Sequence, residues 1–188
     1  MDQLVKAKRK ATGVIRMVAR HIRTRCPRVL KMVWSLYIEP ILTFGSNMWH
    51  SGFKYIREGA DSICNRFWNI LGVTRPKSCP KPSDRMLLKD LQMMHKIVNG
   101  RIKLIDPNDH VWYTADVRNR AYEDQHLFKP RLDNEVSKCS FFQRTVEVWN
   151  TVPLRVRNLT NYECFSNKVM RLIRERKVVI ISPRDKPK

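Results

Sequence analysis

Phosphoryl-transfer chemistry needs carboxylates clustered around divalent metal, commonly two ions clamped in line with the scissile bond. The 17 Asp and Glu of this 188-residue chain are scattered. The nearest approach to the Tyr-X-Asp-Asp turn of polymerases is Ala121-Tyr122-Glu123-Asp124. It lacks paired aspartates at the required spacing and no hairpin hydrophobics flank it, so it reads as a solvated charged loop. Five cysteines (Cys26, Cys64, Cys79, Cys139, Cys164) and five histidines include no Cys-x-x-Cys and no His-x₃₋₅-His pair, which leaves zinc without a local ligand set. The glycines form neither a phosphate loop nor a nucleophile elbow. No catalytic residue, metal ligand or cofactor is expected, and the chain is expected to be inactive as an enzyme on its own.

The residues that can do chemistry are cations. Lys and Arg number 37, and the net charge is +20. Residues 1–31 hold 10 basic side chains and 1 acidic, residues 168–188 hold 8 and 2, and the middle is close to balanced. Such an excess exceeds what solubility requires and points to a polyanionic partner. Lys6, Lys8, Arg9, Lys10, Arg16, Arg20, Arg23 and Arg25 are the candidate phosphate contacts, with Arg28 continuing the stretch. The bland alternative is a solvated helix face, but Asp2 alone cannot balance ten cations through intrahelical ion pairs. Lys6 to Lys10 also has the form of a nuclear-import signal. Among the aromatics, Trp112-Tyr113 lies in a stretch without period and is the candidate for stacking on unpaired bases, with Trp49 and Tyr55 behind it. Trp34, Trp68 and Trp149 sit at helical spacing and read as core.

These side chains need elements to hold them. Leu4, Ala7, Ala11, Val14, Ile15, Val18 and Ile22 recur at helical spacing, with Lys6, Lys8, Arg9, Lys10, Arg16 and Arg20 opposite. Cys26-Pro27 ends this helix. A second places Val29, Leu30, Val33, Trp34, Leu36 and Tyr37 inward and should kink or break at Pro40. A third buries Ile56, Ala60, Ile63, Cys64, Phe67, Ile70 and Leu71 and closes at Gly72. The stretch 72–85, with Pro76, Pro80 and Pro82, reads as a linker and domain boundary. A fourth helix carries Leu87, Leu88, Leu91, Met94, Ile97 and Val98 and stops at Asn99-Gly100. Residues 101–140 lack a period and are expected to be loops with short extended pieces such as His126 to Leu132. Phe141 to Asn150 is a short amphipathic helix, and Thr160-Asn161-Tyr162-Glu163 has the form of a capping box for a last helix burying Phe165, Val169, Leu172 and Ile173. Val178 to Ile181 is a candidate edge strand before a disordered basic tail.

The expected class is therefore mainly α, with a small irregular α+β region toward the C-terminus. It divides into a basic helical segment (1–71), the linker (72–85), a helical region with an irregular interior (86–175) and a basic tail (176–188). No run approaches the ~20 apolar residues of a membrane span, and no apolar leader follows Asp2. The odd, unpaired cysteines suit a reducing compartment, the nucleus or cytoplasm, rather than secretion, with no membrane partner.

Three stretches also carry a recurring pattern. "VLKMVWSLYIEPILTFGSNMW" (29–49), "LLKDLQMMHKIVNG" (87–100) and "SFFQRTVEVWNTVPLRV" (140–156), the last followed by "CFSNKVMRLI" (164–173), resemble, in order, the region downstream of the catalytic domain in LINE-like (non-LTR) retrotransposon reverse transcriptases. The resemblance spans roughly residues 4–175. It implies a thumb-like helical bundle and a C-terminal extension that grip template RNA and nascent DNA, with fingers, palm and endonuclease belonging to other parts of such a polymerase. On this reading the chain is a non-catalytic, nucleic-acid-binding fragment or remnant of an RNA-directed DNA polymerase, with RNA, DNA or their hybrid as partner. Two alternatives stand beside it: a helical module whose exposed faces pair with another protein, such as an intact reverse transcriptase, and a translated pseudogene product without a selected role.

Overall fold

The apolar recurrence from Leu4 onward becomes helix α1, Asp2–His21. Leu4, Ala7, Ala11, Ile15 and Val18 are buried along one side, with Val14 and Ile22 packed at its margin. Arg20 occupies the last turn, where a cation is favoured by the negative end of the helix dipole. The structure, a computed structural model, describes residues 2–50, 53–102, 112–113, 127–128 and 140–179 and is mainly α. It divides into two compact units, Met1–His50 with Lys54–Met86, and Ser51–Phe53 with Leu87–Lys188.

In the first unit, Cys26 adopts extended backbone before Pro27, as a residue preceding proline must, and Pro27 opens α2 (Pro27–Val33), where its missing N–H leaves no bond unmade. Pro40 does not end this helix. The turn Trp34–Ile38 widens to a π-helix, with the Glu39 N–H donating to the Trp34 carbonyl, and α3 (Glu39–Thr43) continues beyond it. The wider turn makes room for a proline ring that would otherwise strike the preceding carbonyl. It also changes which residues face inward. Leu30, Val33, Trp34, Ile38 and Leu42 are buried, whereas Val29, Leu36 and Tyr37, expected in the core, are exposed, Leu36 by 64% and Tyr37 by 59%.

Gly45, at φ 59°, turns the chain into the short helix α4, Ser46–Trp49. Helix α5 (Lys54–Ile70) buries Ile56, Ala60, Ile63, Cys64, Phe67 and Trp68. Ile70, expected inward, is exposed, because the buried row passes through Trp68 and Leu71 instead. Helix α1 meets α5 at Gly59, where a Cβ would come within 3.2 Å of Leu4 Cδ2. Gly72 closes α5 at φ 64°. Its N–H donates to the Asn69 carbonyl and that of Val73 to the Trp68 carbonyl, the paired bonds that glycine makes accessible.

The stretch read as a linker is built differently from the expectation. Cys79 is buried in the core of the first unit, and α6 (Pro82–Val98) begins within the stretch. Asp61 of α5 supplies the cap, accepting the Ser83 N–H at 3.0 Å and its hydroxyl at 2.8 Å. The two units divide inside α6, between Met86 and Leu87.

The second unit packs Leu87, Leu88, Leu91 and Met94 of α6 with Val146, Val148 and Trp149 of α7 (Phe141–Thr151) and Phe165, Val169 and Ile173 of α9 (Tyr162–Arg174). The single turn α8, Leu154–Arg157, follows Pro153. Helix α6 closes at Gly100 (φ 66°) as the Asn-Gly pair predicts. The cap of α9 is Asn161 rather than Thr160: its Oδ1 accepts the N–H groups of Glu163 and Cys164, so the short amide displaces the expected capping box. Strands β1 (Trp112–Tyr113) and β2 (Leu127–Phe128) pair antiparallel, and the Asn150 amide of α7 bonds both the N–H and the carbonyl of Leu127. Val178 is buried and Val179 exposed, neither in a strand; residues 180–181 lie outside the described residues, as does the tail beyond them.

Two buried groups give this unit measurable properties. Arg144 donates from Nε and from a terminal nitrogen to both Asp90 oxygens, at 3.0 and 3.1 Å, with both side chains buried. Asp90→Ala leaves the guanidinium without that carboxylate and should cost about 3–5 kcal/mol in urea denaturation. His95 stacks on Phe165 at 4.1 Å, and its Nε2 lies 2.6 Å from the Leu159 carbonyl, an acceptor only. Nε2 therefore carries the proton. Burial lowers its pKa from the ordinary 6.5. The folded state then holds fewer protons than the unfolded one, so the contribution is complete above about pH 6.5 and declines as pH falls below it. Thermal melting should show this loss on acidification, and His95→Gln should flatten it.

Candidate nucleic-acid interface

The packing of α1 decides what its other side presents. Lys6, Arg9, Lys10, Arg16 and Arg20 are exposed along the helix, and Arg23 and Arg25 are exposed in the link that follows. Lys8 is half-buried at the margin, near Gly59 of α5. Given the helical repeat, Arg9, Arg16 and Arg20 fall on the ridge opposite the buried row, with Lys6 and Lys10 beside it. At 1.5 Å rise per residue, Arg9 and Arg16 are about 10 Å apart along the axis, and Arg16 and Arg20 about 6 Å.

Among the described residues, none of these eight side chains is ion-paired. The carboxylates pair elsewhere: Glu39 with Arg85 at 3.0 Å, Asp90 with Arg144, Glu58 with Lys54 at 3.9 Å. At the C-terminal end part of the basic excess is paired. Glu175 takes Lys177 and Arg171, each at 2.9 Å. Hydrogen bonds from Lys177 and then Arg171 hold its carboxyl below its ordinary pKa. Among the described residues, Arg171 and Lys177 are thus compensated, and the eight cations of α1 and its exit are not.

The aromatic candidates fare unevenly. Trp112 and Tyr113 form β1, in register with Phe128 and Leu127, but their side chains lie outside the described residues. Trp49 is half-buried, with its indole N–H donated to the Phe44 carbonyl at 2.8 Å, while Tyr55 is exposed. Two features of this unit escaped the sequence reading. Tyr37 faces solvent beside Leu36, on a turn whose π geometry no period announces. Gly13 is exposed in the middle of α1, and the available signal was a helix-weakening residue inside a strongly periodic run.

Cys26 stands at the end of the basic exit. It is exposed, and its thiol pKa is lowered by backbone N–H groups of Val29 and Arg28, with a smaller effect of the Arg28 charge. Burial does the reverse inside the unit, pushing Cys64 up to about 12 and raising Cys79. Among the described residues, no three His, Cys, Asp or Glu groups converge, and no helix is long and apolar enough to cross a membrane. What the arrangement offers is electrostatic attraction for a polyanion.

Comparison with protein-family models, with curated proteins and with solved structures finds no match. One chemical consequence of the site is directly measurable. The thiolate is the nucleophile, so at neutral pH iodoacetamide should modify Cys26 well ahead of Cys64 and Cys79 in peptide mass mapping of the folded chain.

Proposed function

We propose that the chain is a non-catalytic, nucleic-acid-binding piece of a LINE-like reverse transcriptase, gripping phosphates of template and primer through α1 and its exit. The observation that carries this reading is the array of cations on an ordered helix with no described carboxylate against it. Uncompensated charge of this density on a folded surface is attracted to polynucleotide, and binding releases condensed counterions. The in-order sequence resemblance supplies the family, and the mainly α class agrees with a thumb-like segment. RNA, DNA and their hybrid all present the phosphates that such an array recognises, and binding is largely independent of sequence because phosphates carry none.

A second reading has its own observation. Met32, Leu36 and Tyr37 are exposed on successive turns, an apolar face of the kind that pairs with another protein. Sedimentation separates the two: a monomer that binds duplex favours the first reading, and an oligomer indifferent to nucleic acid favours the second.

The direct test is fluorescence anisotropy with a primer–template duplex between about 50 and 200 mM salt. If all eight cations meet phosphates, the log–log slope should approach about −7, and Lys6, Arg9, Lys10 and Arg16 changed together to Gln should make it shallower by about 3–4. A flat salt response would discard the proposal.

A further inference from the structure

Glycine inside a helix weakens it, because the unfolded chain loses more freedom on folding and no side chain packs in return. Each of the other described glycines has a reason in the fold. Gly45, Gly72 and Gly100 adopt positive φ, and Gly59 lies where a Cβ would press on Leu4 at 3.2 Å. Gly13 has neither. It sits mid-helix with ordinary helical backbone, exposed, and a Cβ built there would meet nothing within 4 Å.

Its surroundings suggest what it serves. On a helix surface the neighbours of a residue lie three, four and seven positions away. For Gly13 these are Lys10, Arg16, Arg9, Met17, Lys6 and Arg20. All but Met17 are cations, and all six are exposed. The one position without a side chain is thus the floor of a ring of five long basic side chains.

We infer that Gly13 is the seat at which a sugar–phosphate strand crosses α1, in contact with the helix backbone. This rests on the nucleic-acid reading above. An anion on that floor lies beneath Arg16 and Arg20, whose side chains lean toward the helix N-terminus, with Arg9 and Lys10 one turn before it. A side chain at position 13 would lift the strand out of that ring and lengthen every contact.

Gly13→Ala and Gly13→Leu provide the test, with thermal melting and duplex anisotropy measured on the same preparations, and Arg16→Gln as the charge control. Both glycine replacements introduce better helix formers into open space, so both should melt higher than the parent chain. Gly13→Leu should nonetheless weaken duplex binding tenfold or more and make the salt slope shallower, because the lifted strand loses phosphate contacts, with Gly13→Ala intermediate. Arg16→Gln should weaken binding and make the slope shallower by about one phosphate's worth. If both glycine variants melt higher and bind as the parent does while Arg16→Gln weakens binding, the seat is wrong and the basic-face reading stands. If neither the glycine variants nor Arg16→Gln alters binding, the reading beneath it falls as well. Lower melting of both glycine variants would assign Gly13 to packing and overturn the inference.

Discussion

Helix α1 is held by a narrow row of residues, Leu4, Ala7, Ala11, Ile15 and Val18, packed on α3 and α5. Small residues in that row let the helices approach closely, and Gly59 admits Leu4 at the α5 contact. Once the row is fixed, the 3.6-residue repeat leaves no freedom about where the arginines go: Arg9, Arg16 and Arg20 must point away from the core. The apolar contact therefore sets the electrostatics. Dispersed over an unfolded chain, the same charges would be a diffuse cationic tail; pinned on one ridge, they form an array with fixed spacing.

The two ends of the chain illustrate how position modifies charge. Both are strongly basic by composition, and among the described residues the N-terminal array stands without a carboxylate partner, whereas Arg171 and Lys177 have one. In α9 and the turn beyond it, Glu175 accepts from Arg171 and Lys177 and removes part of the excess locally. In the first unit Glu39 is turned toward Arg85 and Asp61 toward Ser83, so these two acids serve helix packing and capping. A net total does not show which acids lie within reach: Glu175 stands four residues from Arg171 and two from Lys177, whereas residues 1–31 have Asp2 alone.

Much of the scaffold was legible in sequence because it follows local rules. The period of α1 and α5, the glycine closures at Gly72 and Gly100 and the core positions of Trp34, Trp68 and Trp149 all came from patterns within one element. What was not legible came from longer range. The cap of α6 is supplied by Asp61 from α5, so the proline-rich stretch before it reads as linker until the two are brought together. Pro40 was expected to disrupt its helix, and the π turn that absorbs it exchanges Leu36 and Tyr37 for Ile38 in the core. At the candidate site, the cations were identified by type, but the significance of Gly13 appears only when every other described glycine is accounted for by geometry.

If polynucleotide is gripped by the exposed ridge of α1 rather than by basic side chains at large, it should cover particular lysines and leave others open. Lysine acylation with mass-spectrometric readout, with and without a primer–template duplex, addresses it residue by residue. Duplex should shield Lys6 and Lys10 from modification and leave Lys54, which faces Glu58, and Lys168 of α9 unchanged. Equal shielding of all four lysines, or none of Lys6 and Lys10, would contradict it.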